Sequence, residues 1–217
     1  MAGFMNRIIL CSLFIVIIGG YMNAQEISAI KLDPPQLTKG KLLMQALSQR
    51  HSTREFSDRE LSLHELSDIL WCADGINRKE SGLRTAPSAV NRQEIDVYAV
   101  MKKGAYLYDA KKNELLPVSA GDHRKAAGTQ GFVSIAPLNL IYVADLNKMD
   151  YTKDEVTKQV YAGISAGHCS QSVYLYCASA GLAAVVRASM GKDELGKVLK
   201  LRPGQKIMIA QTVGYKK

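Results

Sequence analysis

Residues 50–56 read RHSTREF, two arginines four positions apart with a histidine, a serine and a threonine between them. An arginine presents a planar fork that matches the oxygens of a phosphate, and a nearby hydroxyl adds a further donor. R-H-S-x-R at the end of a helix is therefore a candidate clamp for a phosphomonoester. The plainer reading is a solvated turn with Arg54 in a surface ion pair of little worth. The stretch alone does not choose between them.

The flanks of this stretch predict helices on both sides. Before it, Leu42, Leu43, Ala46 and Leu47 form an apolar stripe at helical spacing, which predicts a helix from Thr38 to just before Arg50. After it, Ser62 and Glu65 form a capping box ahead of Leu66, Ile69 and Leu70, which predicts a second helix to about Cys72. Further out, QEISAIKLDPPQL (25–37) has a Pro-Pro pair and no periodicity, the pattern of an extended arm. On the other side, Asp74 to Asn91 is rich in Gly, Pro, Ser and Arg and reads as a long functional loop.

Beyond that loop, IDVYAVM (95–101), a KKG turn and AYLYD (105–109) predict a hairpin, with a further short strand near ELLPV. A short helix over 122–131 and a buried strand at PLNLIYVAD (137–145) follow. The longest element, from about Thr152 to Ala180, is apolar on most sides and rich in small residues, as expected for a helix buried in a core or against another subunit. LAAVVRAS (182–189) reads as a strand, KDELGKVLKL (192–201) as a helix and KIMIAQTVGY (206–215) as the last strand. The expected class is α+β, with a central mixed sheet of four to five strands surrounded by helices.

Composition bounds the function. With 217 residues, a net charge of +8 and 47% hydrophobic content, the chain is one globular domain with a real core and not a polytopic membrane protein. The lysines are scattered, with no basic helix and no interleaved aromatic ladder, which argues against nucleic acid and leaves anionic ligands open. Arg7, the apolar run 8–20 and a cleavage point after Ala24 stand in signal-peptide order, so residues 1–24 read as a leader, residues 25–217 as the domain, and the protein as periplasmic or secreted. The alternative is an anchor retained at 8–20. Cys72, Cys169 and Cys177 have no metal-ligand spacing and read as buried free thiols.

A second stretch, APSAVNRQ (86–93), closes the long loop just before a strand. The pair RHSTREF and APSAVNRQ resembles the nitroreductase family of flavin enzymes, in which R-[RH]-S-x-[RK] follows the first helix and P-S-[SA]-x-N-x-Q comes thirty to forty residues later. GAYLYDAKKNELLPVSAGDHRKAAG (104–128) and SAGHCSQSVYLYCASAGLAAVV (165–186) look like the SagB-type dehydrogenase branch, with its tyrosine-bearing hairpin, G-D-x-R segment and central helix. TVGY (212–215) stands where the family has G-Y-P.

The resemblance implies FMN as cofactor and an intertwined homodimer with shared active sites. Arg50, Ser52 and Arg54 would hold the phosphate and ribityl oxygens, with contacts from His51. Pro87, Ser88 and Ala89 would reach the flavin of the other subunit, followed on that loop by Asn91 and Gln93, Asn91 being the better candidate for a contact. A backbone N–H in the strand at Val186, Arg187, Ala188 or Ser189 would donate toward N5, Arg187 or Ala188 foremost. Lys216 would stand in for a basic residue that many relatives carry further on. No catalytic acid or nucleophile is required, because the flavin does the chemistry.

The sequence departs from the pattern in three places. Gln171-Ser172 replaces Gln-Asn, GLAA replaces GLG, and Arg187 stands where the branch is apolar. Arg187 either attracts an anionic substrate or steadies reduced flavin, or else it is a rim residue pointing to solvent. His168 reads as a satisfied interior histidine rather than a ligand, since no second His or carboxylate sits at metal spacing; His64 as surface; and Trp71 as packing. The implied activity is ping-pong electron transfer from NAD(P)H or another reductant to a small organic acceptor such as a nitroaromatic or quinone, or a SagB-like dehydrogenation. The alternative is a flavin-binding carrier or sensor without efficient turnover.

Overall fold

The structure, a computed structural model, describes residues 26–217. The leader or anchor expected within residues 1–24 lies outside the described residues.

Among the described residues, nine strands and four α-helices follow one another. They are β1 (Ile30–Lys31), α1 (Leu43–Gln49), α2 (Leu63–Asp74), β2 (Ile76–Arg78), β3 (Leu83–Arg84), β4 (Ile95–Met101), β5 (Gly104–Asp109), β6 (Glu114–Ala120), β7 (Leu138–Asp145), α3 (Glu155–Ala180), β8 (Ala183–Arg187), α4 (Lys192–Val198) and β9 (Gln205–Gly214). Seven strands form the main sheet in the order β1-β6-β5-β4-β7-β9-β8, and β2 and β3 pair separately.

The expected α+β class holds, but the expected four to five strands become seven and every neighbouring pair is antiparallel. Short turns account for part of this, because β4, β5 and β6 are consecutive and a tight turn can only return the chain antiparallel. The arm adds β1 at the edge, pairing Ile30 with Leu115. The long crossover through α3 carries the chain from β7 to β8 in the same direction, and β9 fills the slot between them.

The fully buried β7 shows how the core is divided. Leu138, Leu140, Tyr142 and Ala144 face one side with Ile69, Leu70, Ala166, Cys169 and Val173 of α2 and α3. Ile141 and Val143 face the other side, with Leu195 and Leu199 near α4. Alternate side chains of a strand point to opposite faces, so a strand covered on both sides is apolar throughout.

The helix ends follow local chemistry. Ser62 and Glu65 form the expected capping box at α2. Asp154 caps α3 by accepting from the Val156 and Thr157 amides, and Gly181, at φ 74°, closes it in the left-handed conformation that glycine adopts freely. α1 begins later than expected because Leu42, at its N-cap, offers no side-chain acceptor. Its apolar stripe is also not buried within the chain: Ala46 is covered, but Leu42, Leu43, Met44 and Leu47 are 74, 62, 74 and 42% exposed. The short helix expected over 122–131 is a 3-10 turn at Arg124–Ala127, followed by another at Gly131–Val133.

Candidate functional site

The clamp stretch runs along the free edge of the sheet. The Thr53 amide donates to the Ala184 carbonyl of β8 (2.9 Å), and further on Ser57 N–H donates to the Tyr215 carbonyl (3.0 Å). Phe56 bridges Lys216, which brings that lysine beside the clamp, two residues past Arg54. Arg50 and Arg54 form no ion pair among the described residues, whereas other arginines, such as Arg84, Arg92, Arg124 and Arg202, do. The surface ion pair considered for Arg54 is therefore not formed.

Tyr174, near the C-terminal end of α3, anchors this segment. Its phenol oxygen lies 2.9 Å from Ser52 Oγ and accepts from the Val186 amide at 2.7 Å, while the Arg50 guanidinium sits over its ring at 5.4 Å from the centroid. One side chain thus fixes a clamp hydroxyl, a clamp arginine and the edge strand together. The sequence alone does not single out Tyr174, because nothing in the helical pattern separates it from the neighbouring aromatics of SVYLYC.

The edge strand also sorts the candidate amides. Successive backbone groups of a strand point to opposite edges. Ala184 C=O and Val186 N–H both point outward, to Thr53 and Tyr174, so the next amide, that of Arg187, faces β9, opposite Ala210. Val186 N–H is already bonded, and Ala188 is the next outward position.

The Arg187 side chain corrects both readings of it. It is 7% exposed and neither lines the edge nor reaches solvent. It donates to Thr212 Oγ1 (2.9 Å), Asn139 Oδ1 (2.8 Å) and the Ala127 carbonyl. Burial pulls its pKa down to about 10. Gly128 packs against the guanidinium so closely that a Cβ there would collide with it. Arg187 is a tie between β8 and the turn at Arg124–Ala127. Arg124 serves similarly, forking onto Asp122 and donating to the Ile135 and Ala136 carbonyls.

The second motif lies elsewhere on α3. His168, expected inside the core, is instead exposed, with Nδ1 3.3 Å from the Pro87 carbonyl oxygen. His168 and Tyr174 are six residues apart, about 9 Å along the helix and roughly 240° around it. Within one chain the clamp and the Pro87–Ala89 segment are therefore held on different sides of one helix and do not converge. A cleft of about 670 Å³ lies between Pro35–Gly40, α2 and the C-terminal end of α3, and none of these motif residues lines it.

The loop itself is strained and braced. Val90, Asn91 and Gln93 have φ of 51, 52 and 48°, a region that costs energy for residues other than glycine, most of all for a β-branched valine. Ser88 Oγ accepts from the Gln93 amide (2.9 Å), and the Gln93 side chain accepts from Arg84 Nε (3.1 Å) and donates to the Gly82 carbonyl (3.1 Å). Arg84 in turn donates to the Asp74 carbonyl (2.7 Å) and lies 3.3 Å from its carboxylate. Burial, only partly offset by Arg84 and Lys148, pushes the Asp74 pKa up to about 7. Gln93 is thus a brace for the loop, not a group presented to a ligand.

The chain as a whole is similar to proteins of known sequence and structure. A candidate nitroreductase of Methanocaldococcus jannaschii is 29% identical over 170 residues, spanning 74% of this chain and 85% of that protein. The crystal structure of a candidate nitroreductase from Ralstonia eutropha JMP134 is 38% identical and superposes with a TM-score of 0.83 over 88% of this chain and 90% of the other. The E. coli microcin synthetase McbBCD complex, at 17% identity and a TM-score of 0.66 over 97% of this chain and 85% of that one, shares the fold alone. The Nitroreductase family pattern matches residues 47–215, from the end of α1 through the clamp, the loop and the edge strand to Tyr215, and the chain belongs to the nitroreductase family of oxidoreductases.

Proposed function

We propose that the protein is an FMN-dependent oxidoreductase acting as a homodimer with shared sites. The observation that carries this reading is the clamp: two arginines without acidic partners among the described residues, flanking a serine pinned by Tyr174 at the open edge of β8. That donor set fits a phosphate monoester, since fork-shaped cations and a fixed hydroxyl are what its oxygens need. Arg50, Ser52 and Arg54 would hold the phosphate with Lys216 and His51 beside them, and Ala188 N–H would donate toward N5. Pro87, Ser88, Ala89 and Asn91 would complete the site from the neighbouring subunit, which agrees with their separation from the clamp within one chain. Bound there, FMN supplies the redox step itself, accepting electrons from a donor and passing them to an acceptor.

The dimer reading is supported by apolar surface. Val156, Val160 and Ile164 recur at i, i+4, i+8 on α3 and are exposed, as is the stripe of α1. Two such helical faces are the kind of surface that a two-fold interface covers. For the reaction, small acceptors such as nitroaromatics or quinones suit the family. The shared fold of the microcin synthetase complex is compatible with a SagB-like dehydrogenation. Export directed by residues 1–24 would place the enzyme where NAD(P)H is scarce and favour a quinol or a redox protein as donor.

The test is turnover. The FMN-loaded protein is reduced anaerobically, then mixed with a nitrofuran or a quinone while its absorbance is followed. Rapid reoxidation supports an oxidoreductase; bound flavin that no acceptor reoxidises would identify a carrier instead.

A further inference from the structure

The Asp74–Arg84–Gln93 chain lies outside the clamp and ends in the second motif, at Gln93. Three non-glycine residues of that loop hold positive φ, and Val90 does so while 69% exposed, with little packing of its own to hold it there. Such a conformation persists only where surrounding structure over-determines it. The nearest constraint is Gln93, held at its amide by Ser88 and at its side chain by Arg84 and Gly82. Arg84 is held in turn at the end of α2 by the carbonyl and carboxylate of Asp74.

We propose that Arg84 is a positioning residue: braced by Asp74, it holds Gln93 and so keeps residues 86–93 in the strained form that grips the neighbouring subunit's flavin. The inference rests on the reading above that this loop reaches FMN across a dimer. Arg84 touches neither clamp nor edge strand, so its effect passes through Gln93 alone. Lysine cannot replace it fully, because one ammonium cannot serve Gln93 and Asp74 in the same planar geometry.

The brace carries a pH dependence. Asp74 is buried, and the charged or titratable groups around it are Arg84 on β3, Lys148 after β7, Glu94 just before β4, Asp96 on β4, Tyr108 on β5, Tyr142 on β7 and Cys169 on α3. With a pKa raised to about 7, Asp74 loses its charge as pH falls through neutrality, and Arg84 is then held at Asp74 by the carbonyl without the ion pair. Loop grip should weaken on the acid side.

The experiment uses the full chain and reads two quantities, FMN affinity by fluorescence quenching from pH 5.5 to 8.5 and hydrogen exchange of the 86–93 segment without flavin. R84M should weaken FMN about tenfold at pH 8 and speed exchange of the Asn91, Arg92 and Gln93 amides by a similar factor. D74N should show the acid-side affinity across the whole range; titration of the flavin phosphate is common to both proteins and cancels in the comparison. V90G, which removes the steric cost of the left-handed form, should reduce the R84M penalty to about threefold. R84K should fall between wild type and R84M. Should R84M fail to fold, Q93A tests the same link from the loop side. Unchanged exchange and affinity in R84M, or a D74N profile parallel to wild type, would overturn the proposal. A wild-type protein that binds no FMN would overturn the flavin reading instead, and the exchange data would still decide the brace.

Discussion

Replacing Tyr174 with phenylalanine removes one oxygen and keeps the ring, so it isolates the phenol that joins clamp to edge strand. Two hydrogen bonds are lost, to Ser52 Oγ and from the Val186 amide. Ser52 is exposed and finds water, so its loss is small. The half-buried Val186 amide loses its partner, which costs about 1–3 kcal/mol when a donor is left unsatisfied. For a domain of this size that corresponds to a fall in Tm of about 2–10 °C. The Arg50 stacking survives because the ring stays. FMN affinity should drop only about fivefold, near 1 kcal/mol, through the loosened Ser52. Differential scanning calorimetry and FMN titration of Y174F and Y174L separate the two effects, Y174L losing the stacking as well. Unchanged Tm and unchanged affinity in Y174F would refute the view that this phenol organises the site.

Three other outcomes follow from the same geometry. Gly128→Ala would drive a methyl into the Arg187 guanidinium and should cost about 1–3 kcal/mol, measured by urea unfolding. Asp74 has a folded pKa raised to about 7 from 3.8, so its contribution to stability is fully present below pH 4 and lost as pH rises through 7. The loss is on the order of 4 kcal/mol by linkage, and D74N should flatten that part of the stability–pH curve. On the proposed dimer, Val160→Glu on the exposed face of α3 should give a monomer in analytical ultracentrifugation and a large loss of bound FMN, because each site would lose its neighbouring loop.

Much of this architecture was legible because burial leaves a periodic trace. The unbroken apolar run of β7, the capping box at Ser62 and the small-residue pattern of α3 each follow from rules that act over a few residues. What covers an apolar face is not written locally. The stripe Leu42, Leu43, Leu47 is apolar at helical spacing but buries little within its own chain. The motif residues of the site were visible, since arginine and serine at close spacing have a distinct chemistry. Their supports were not: Tyr174 lies 122 residues from Ser52, and Arg84 gains meaning only when the chain folds Asp74 and Gln93 against it. Arg187 misled for the same reason, because its carbonyl, amide and hydroxyl partners come from three distant segments.

The most direct test of the account is the absorbance spectrum of the purified protein after incubation with FMN and removal of the excess by gel filtration, run beside the R50A/S52A variant. The account predicts a yellow complex with one FMN per chain, and a folded variant that elutes without flavin. A colourless wild type, or a variant that keeps its full flavin, would contradict the assignment of residues 50–54 as the phosphate clamp.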